Sequence, residues 1–311
     1  MRCHNFTISR EGENSEKREL AMASGDAETD AALAPAQPPP PPGPDVLPPL
    51  TYADLRSQWR NAEPEFSCRD SSGTLCLTIL GAPVMEDWEL PYMEALADVA
   101  CHAGGRVLEV GYGLGLSAQA IEDRLVRITP APTPTPTPSP SPTPTLAAAV
   151  ATQPGDVIGA LASSITPPEH VVIEANAEVA GLARRWAATA KAPTTVLEGF
   201  WQEETRGLAD GSFDGILFDV YPLTSEEVID GECDSFFATA ARLLRRGGCL
   251  TFYFDIAHSW SAAVKTFDTE VTEKLLAAGF ARVESGDCVC HPPSDCEYFW
   301  KDRFIVPRAV R

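Results

Sequence analysis

Nowhere among the 311 residues does an apolar run approach the length of a membrane-spanning helix, and the sequence predicts none. The first 20 residues include Glu11, Glu13, Glu16 and Glu19, which fits neither an apolar secretory core nor an acid-poor transit peptide. A cytoplasmic protein is expected, with the nucleus as an additional location. Cysteine is sparse: of nine, Cys68, Cys76, Cys101, Cys233 and Cys249 are scattered and none forms a Cys-x-x-Cys pair, as for reduced thiols inside a cell. Cys288, Cys290, His291 and Cys296 are residue types that bind zinc, but their spacing is unusual and no second pair faces them, so no metal is expected. Basic residues are few, 24 Lys and Arg against 44 Asp and Glu, for a formal net charge of -20. A surface of that sign repels a phosphate backbone and attracts small cations, so nucleic acid is not an expected partner. Membranes are not expected partners either, and the sequence leaves the oligomeric state open.

Also missing is the last glycine of the nicotinamide-dinucleotide fingerprint. In Arg106 to Leu116, Gly111, Gly113 and Gly115 alternate, and Leu116 stands where that fingerprint needs glycine. What is present is a short apolar strand, the acid Glu109, a glycine-rich turn around Tyr112 and Leu114, and the start of a helix at Leu116. Glycines in such a turn let the backbone take positive φ and approach a ligand with no Cβ in the way. An acid beside that turn suits a cofactor with cationic groups and no phosphate.

Proline, by contrast, is concentrated in two places. Residues 1–49 are polar and then proline-rich, and are expected to form a disordered or polyproline tail. Arg124 to Thr166 holds nine prolines in 43 residues, many at every second position, and reads as an extended insertion within a domain spanning 50–311. Glu174 lies 65 residues after Glu109; without those 43 the interval is 22, close to the spacing at which a βαβ unit places its ribose-binding acid. Glu174, followed by Ala175 and Asn176, is therefore expected to accept hydrogen bonds from both ribose hydroxyls.

The remaining chain alternates strands and helices. Strands are expected at Leu75 to Leu80, His170 to Ile173, Thr194 to Leu197, Phe213 to Asp219, Cys249 to Phe254, Ala281 to Glu284 and Glu297 to Val306. Helices are expected from Leu90 to Ala100 and Ala177 to Thr189, from Asp234 to Arg246 closed by Gly247 and Gly248, and from Asp268 to Ala278. This predicts an α/β, Rossmann-like, doubly wound and mostly parallel sheet with an antiparallel closing strand, its ligands at the carboxyl ends of the strands, where Glu109, Glu174 and Asp219 fall.

Four separated motifs carry a resemblance: Pro83 to Met93, the glycine turn, Ile216 to Pro222, and Pro292 to Phe299. Together they resemble the guanidinoacetate N-methyltransferase family of class I S-adenosylmethionine-dependent methyltransferases, which is related to the fungal protein-arginine delta-N-methyltransferases. The resemblance implies S-adenosylmethionine as cofactor and a small guanidino compound as substrate, with creatine as product when guanidinoacetate is methylated. By resemblance the substrate is held by Met85, Glu89, Asp219 and Tyr221, with its carboxylate near His258 and Ser259. The cofactor is held by the glycine turn with Glu109, by Glu174 to Asn176, and by Phe200, Trp201, Asp219 and Met93.

Chemistry supports that assignment. A guanidinium is planar and forked, so two carboxylates can each bind it through paired charge-assisted hydrogen bonds. It carries no usable lone pair until a proton leaves, and Asp219 is the expected base, with Glu89 as the clamp. Departures from the family fall at Val220, where a hydroxyl is common, and at the acidic stretch Glu226 to Asp234. A protein-arginine methyltransferase of the delta-nitrogen type and a non-catalytic binding module of the same fold are the competing readings.

Overall fold

The computed structural model describes residues 50–69, 72–128, 168–223, 232–254, 260–296, 299 and 301–311. The proline-rich tail, most of the expected insertion, His258 and Ser259 lie outside them. Residues 50–311 make one compact unit.

Chain order begins with helix α1 (Tyr52–Asn61) and strands β1 (Pro64–Cys68), β2 (Leu75–Ile79) and β3 (Ala82–Glu86), which form a separate antiparallel sheet in the order β1-β2-β3. Leu80 and Gly81 link β2 to β3 at φ 54° and 78°, the two consecutive positive angles of a tight hairpin turn. A short 3-10 turn, Asp87–Glu89, leads into α2 (Leu90–Ala100). Then follow β4 (Arg106–Val110), α3 (Leu116–Ile128), β5 (Glu169–Glu174), α4 (Ala177–Ala187), β6 (Thr194–Glu198), the single turn α5 (Trp201–Glu204) and β7 (Phe213–Phe218). Helix Glu232–Leu243, β8 (Leu244–Phe252), a helical stretch from Trp260 to Ala277, β9 (Arg282–Val289) and β10 (Arg303–Val310) complete the chain.

The larger sheet has seven strands in the order β6-β5-β4-β7-β8-β10-β9. β6 to β8 run parallel, and β10 enters antiparallel between β8 and β9. This is the expected α/β, Rossmann-like, doubly wound architecture with an antiparallel closing strand. Parallel strands covered on both faces must be apolar throughout, and every residue of β7 is buried. Leu108, Val110, Ile216, Phe218 and Phe252 pack one face against the helices carrying Phe236, Phe237, Phe267 and Leu275. On the other face, Val107 and Leu217 pack against Tyr92, Met93 and Leu96 of α2 and Ile121 and Leu125 of α3.

Several boundaries differ from the sequence reading. α3 runs to Ile128, so Arg124 to Ile128 are helix and not insertion. Arg124 holds that end in place, its Nε 2.6 Å from Asp98 Oδ1 and its terminal nitrogens donating to the carbonyls of Ala120 and Glu94 at 2.8 and 2.9 Å. The helix expected to reach Arg246 stops at Leu243, and β8 starts five residues earlier than predicted. Leu244 already pairs with Phe213, and Arg245 binds Asp214, so sheet pairing overrides local helix preference. The helix expected from Asp268 begins at Trp260 and widens into a π-helical turn at Phe267–Val271. Its buried residues Ala263, Phe267, Val271 and Leu275 recur every fourth position. β9 and β10 reach Val289 and Val310, beyond their predicted ends, because they pair in register along all of β10.

Candidate active site

The glycine turn leaves the carboxyl end of β4, and its close contacts explain its composition. Gly111 sits at φ 91°, and a Cβ there would lie 1.7 Å from the carbonyl oxygen of Asp219. The turn and the residue following β7 are thus in backbone contact, reinforced by Asp219 N–H donating to Val110 O at 2.9 Å. A Cβ on Gly113 would lie 2.8 Å from Met85 Sδ, and the N–H of Leu114 donates to that sulfur at 3.3 Å. The hairpin β2–β3 therefore delivers Met85 to the turn.

Glu174 closes the other side. Its Oε2 accepts from Tyr112 N at 2.9 Å and its Oε1 from Asn176 N at 2.7 Å. Burial pushes its carboxyl upward, and the N–H groups of Tyr112, Asn176, Ala175 and Gly113 oppose that shift. The carboxylate thus lies against the turn, held by backbone N–H groups from both Tyr112 and Asn176.

Asp219 lies directly across the turn. Burial, and secondarily the charge of Glu109, push its carboxyl up to about 7. Among the described residues no side chain donates a hydrogen bond to it. Glu89 is buried in the 3-10 turn before α2, with Oε1 accepting from Glu86 N at 2.9 Å. The first turn of α2 is fixed at the carboxyl end of β8: the Tyr92 hydroxyl donates to Ile305 O at 2.7 Å and accepts from Phe254 N at 3.1 Å. Glu89, Asp219, Glu174 and the glycine turn therefore share one edge of the sheet.

Four residues expected to touch ligand are packed in the protein instead. Glu109 has no exposed surface; Ser117 Oγ donates to its Oε1, and His170 Nε2 lies 2.9 Å from its Oε2. It acts on the site by its charge. Asn176 is fully buried: its Oδ1 caps α4 through Glu178 N and Val179 N, and its Nδ2 donates to Trp59 O and Ala62 O at 2.8 and 2.9 Å. Met93, also without exposed surface, is core beneath α2. Trp201, 8% exposed, packs edge-on against Phe218 and Phe236 at 6.0 and 5.1 Å.

Helix α1, not foreseen from the sequence, joins the site. Trp59 stacks on Tyr221 with centroids 5.3 Å apart and planes 9° apart. The Arg56 guanidinium sits 4.0 Å over the Phe200 ring. Its signal was the capping box of Thr51 and Asp54 ahead of Leu55 and Trp59.

Such an edge, with a glycine turn on β4, an acid ending β5 and an acid following β7, defines an S-adenosylmethionine-dependent methyltransferase of the Rossmann-like class. The model of one family, guanidinoacetate N-methyltransferase, matches residues 50–129 and 156–311, and the chain belongs to that family. The match resumes at 156, so residues 156–166, read from the sequence as insertion, fall within the family's own pattern. Among solved structures, spermidine synthase from Thermotoga maritima superposes with a TM-score of 0.50 at 12% identity, covering 81% of this chain and 70% of that one. A spermidine synthase in complex with the transition state analogue AdoDATO gives the same score and identity over 81% and 71%. These likenesses establish the fold alone. No helix among the described residues is long and apolar enough to cross a membrane.

Proposed function

We propose that this chain transfers a methyl group to a guanidino nitrogen, with guanidinoacetate as substrate and creatine and S-adenosylhomocysteine as products. The observation that carries this reading is Asp219: a half-buried carboxylate in backbone contact with the glycine turn, pushed up to about 7 by desolvation and without a donor partner among the described residues. A base poised there suits a proton that must leave as the new bond forms. The family match supports the substrate class.

The residues present fit the cofactor. Gly111 and Gly113 let Asp219 and Met85 close on the turn from two sides, and the strand-end acid Glu174 borders it on a third, where it would meet paired hydroxyls. When bound, S-adenosylmethionine supplies an electrophilic methyl group. The chain's own work is to orient the acceptor and take its proton. Glu89 and Asp219 grip opposite parts of the flat cation, which fixes the nitrogen presented for reaction. The proton on that nitrogen passes to the Asp219 carboxylate, freeing the lone pair to take the methyl group that the cofactor would supply, whose bond to sulfur would break as S-adenosylhomocysteine leaves.

Incubating the purified protein with labelled S-adenosylmethionine and, in separate reactions, guanidinoacetate, free arginine and an arginine-rich peptide tests the reading. Label in creatine supports it. Label in peptide alone replaces it with protein-arginine methylation, and absence of label in all arms leaves a binding module.

A further inference from the structure

Beneath the glycine turn lies a buried polar pair that the proposed chemistry does not use. Glu109 on β4 and His170 on β5 have no exposed surface, and Nε2 of the imidazole lies 2.9 Å from Oε2 of the carboxylate. Neither ring nitrogen, nor that oxygen, has an aligned hydrogen-bond partner. The contact is therefore at ion-pair distance without the direction of a hydrogen bond, and its effect is electrostatic. Buried polar groups of this kind call for an explanation, because Val171, Val172 and Ile173 in the same strand show what packing alone selects.

Other groups face the pair from every side. Ser117 of α3 donates to Oε1 of Glu109. The hydroxyl of Tyr112, in the turn, is pushed up to about 12 by burial and then by Glu109. Cys101, at the end of α2, is pushed up to about 12 by burial, with Arg124 opposing and Asp98 and Glu109 adding smaller effects. Trp186 of α4 meets the His170 ring edge-on at 5.9 Å. Glu109 pairs in register with Leu217 of the neighbouring strand β7, two residues before Asp219, and Asp219 N–H donates to Val110 O beside it at 2.9 Å; Asp219 accordingly feels Glu109 as the one charge that adds to its desolvation.

We propose that His170 is a positioning residue that acts on Asp219 through Glu109: its ring, held against the Glu109 carboxylate, sets how much negative charge reaches the proton-accepting aspartate. The imidazole, 2.9 Å from Oε2, offsets part of that charge by its dipole. Removing it leaves Asp219 facing an uncompensated neighbour. The inference rests on the reading of Asp219 as base, but its test needs no substrate.

The test is the carboxyl titration of Asp219 in the full-length protein, followed by carbon-13 NMR from about pH 5 to pH 9 and assigned by the signal missing in Asp219→Asn. Glu109→Gln should move the midpoint down by about one unit or less, and His170→Leu should move it up by a similar amount. His170→Gln, which keeps a donor near the place of Nε2, should bring it back toward the wild-type value. Added to Glu109→Gln, His170→Leu should shift nothing further. A merely structural histidine would lower the melting temperature and leave the midpoint in place. The proposal is overturned if Glu109→Gln leaves the midpoint unmoved, a result that does not depend on whether the histidine variants fold. It is equally overturned if the His170→Leu shift persists without Glu109. An inactive wild type would remove the methyl-transfer reading and leave this titration standing.

Discussion

Two aspartates bracket β7, and their surroundings could hardly differ more. Asp214, near the amino end, is 3% exposed; Arg245 is bound to its Oδ1, and Arg106 N donates to its Oδ2 at 2.6 Å. Asp219, just past the carboxyl end, has no such partner among the described residues and is pushed up to about 7. One charge is matched where it stands, and the other is left to be matched by what binds. A desolvated carboxylate without a cation is unfavourable for folding, so its presence marks a working site, whereas the matched one marks a joint in the scaffold.

Exchanging each acid for its amide should separate these roles most sharply. Asp219→Asn should slow methyl transfer by about 100-fold to 10,000-fold while calorimetry finds cofactor affinity nearly unchanged. Asp214→Asn should lower stability by about 3 kcal/mol in urea unfolding and leave turnover per folded molecule within a factor of about 2. Loss of turnover in a folded Asp214 variant would erase the distinction.

Gly111→Ala should be the next largest effect. Its Cβ would stand 1.7 Å from a backbone oxygen, and at φ 91° the position is already strained for an L-residue. A loss of about 3 kcal/mol or more, with cofactor binding abolished, is the expected outcome of a thermal-shift titration.

Glu89→Gln should weaken the grip on the substrate cation by about 2 kcal/mol, roughly 30-fold in KM, with the cofactor Kd unchanged.

The pH dependence follows from the raised carboxyl of Asp219. Turnover should climb as pH rises through about 7 and then level off, because the base must be ionised. For stability the sign is the reverse. An acid unfolded at about 4 and folded at about 7 contributes most below about 4, and that contribution is lost as pH rises through about 7. Denaturant midpoints at several pH values should show this decline in wild type and not in Asp219→Asn.

The smallest effect concerns α1. Arg56→Ala removes the cation over Phe200 and a partly exposed ion pair with Glu203, and should cost about 1 kcal/mol or less.

The sequence made the strand-turn-helix unit legible because glycine alternation, a strand-end acid and an apolar strand are all local. Glu174 was legible too, through its spacing from Glu109. What stayed hidden depended on distant partners. Glu109 looked like a ligand contact until His170 and Ser117 were seen to enclose it, and Asn176 looked the same until α1 was found leaning on its amide. Leu244 to Gly248 read as the end of a helix because nothing local shows that Phe213 and Asp214 are waiting to pair with it. The capping box ahead of Trp59 was local and readable, and it points to α1.

Arg124 fastens the far end of α3 to α2 before the chain departs toward residue 129. A pull on the chain beyond Ile128 is therefore met first by α2, through Asp98 and Glu94, and little of it can travel back along α3 to the cofactor turn.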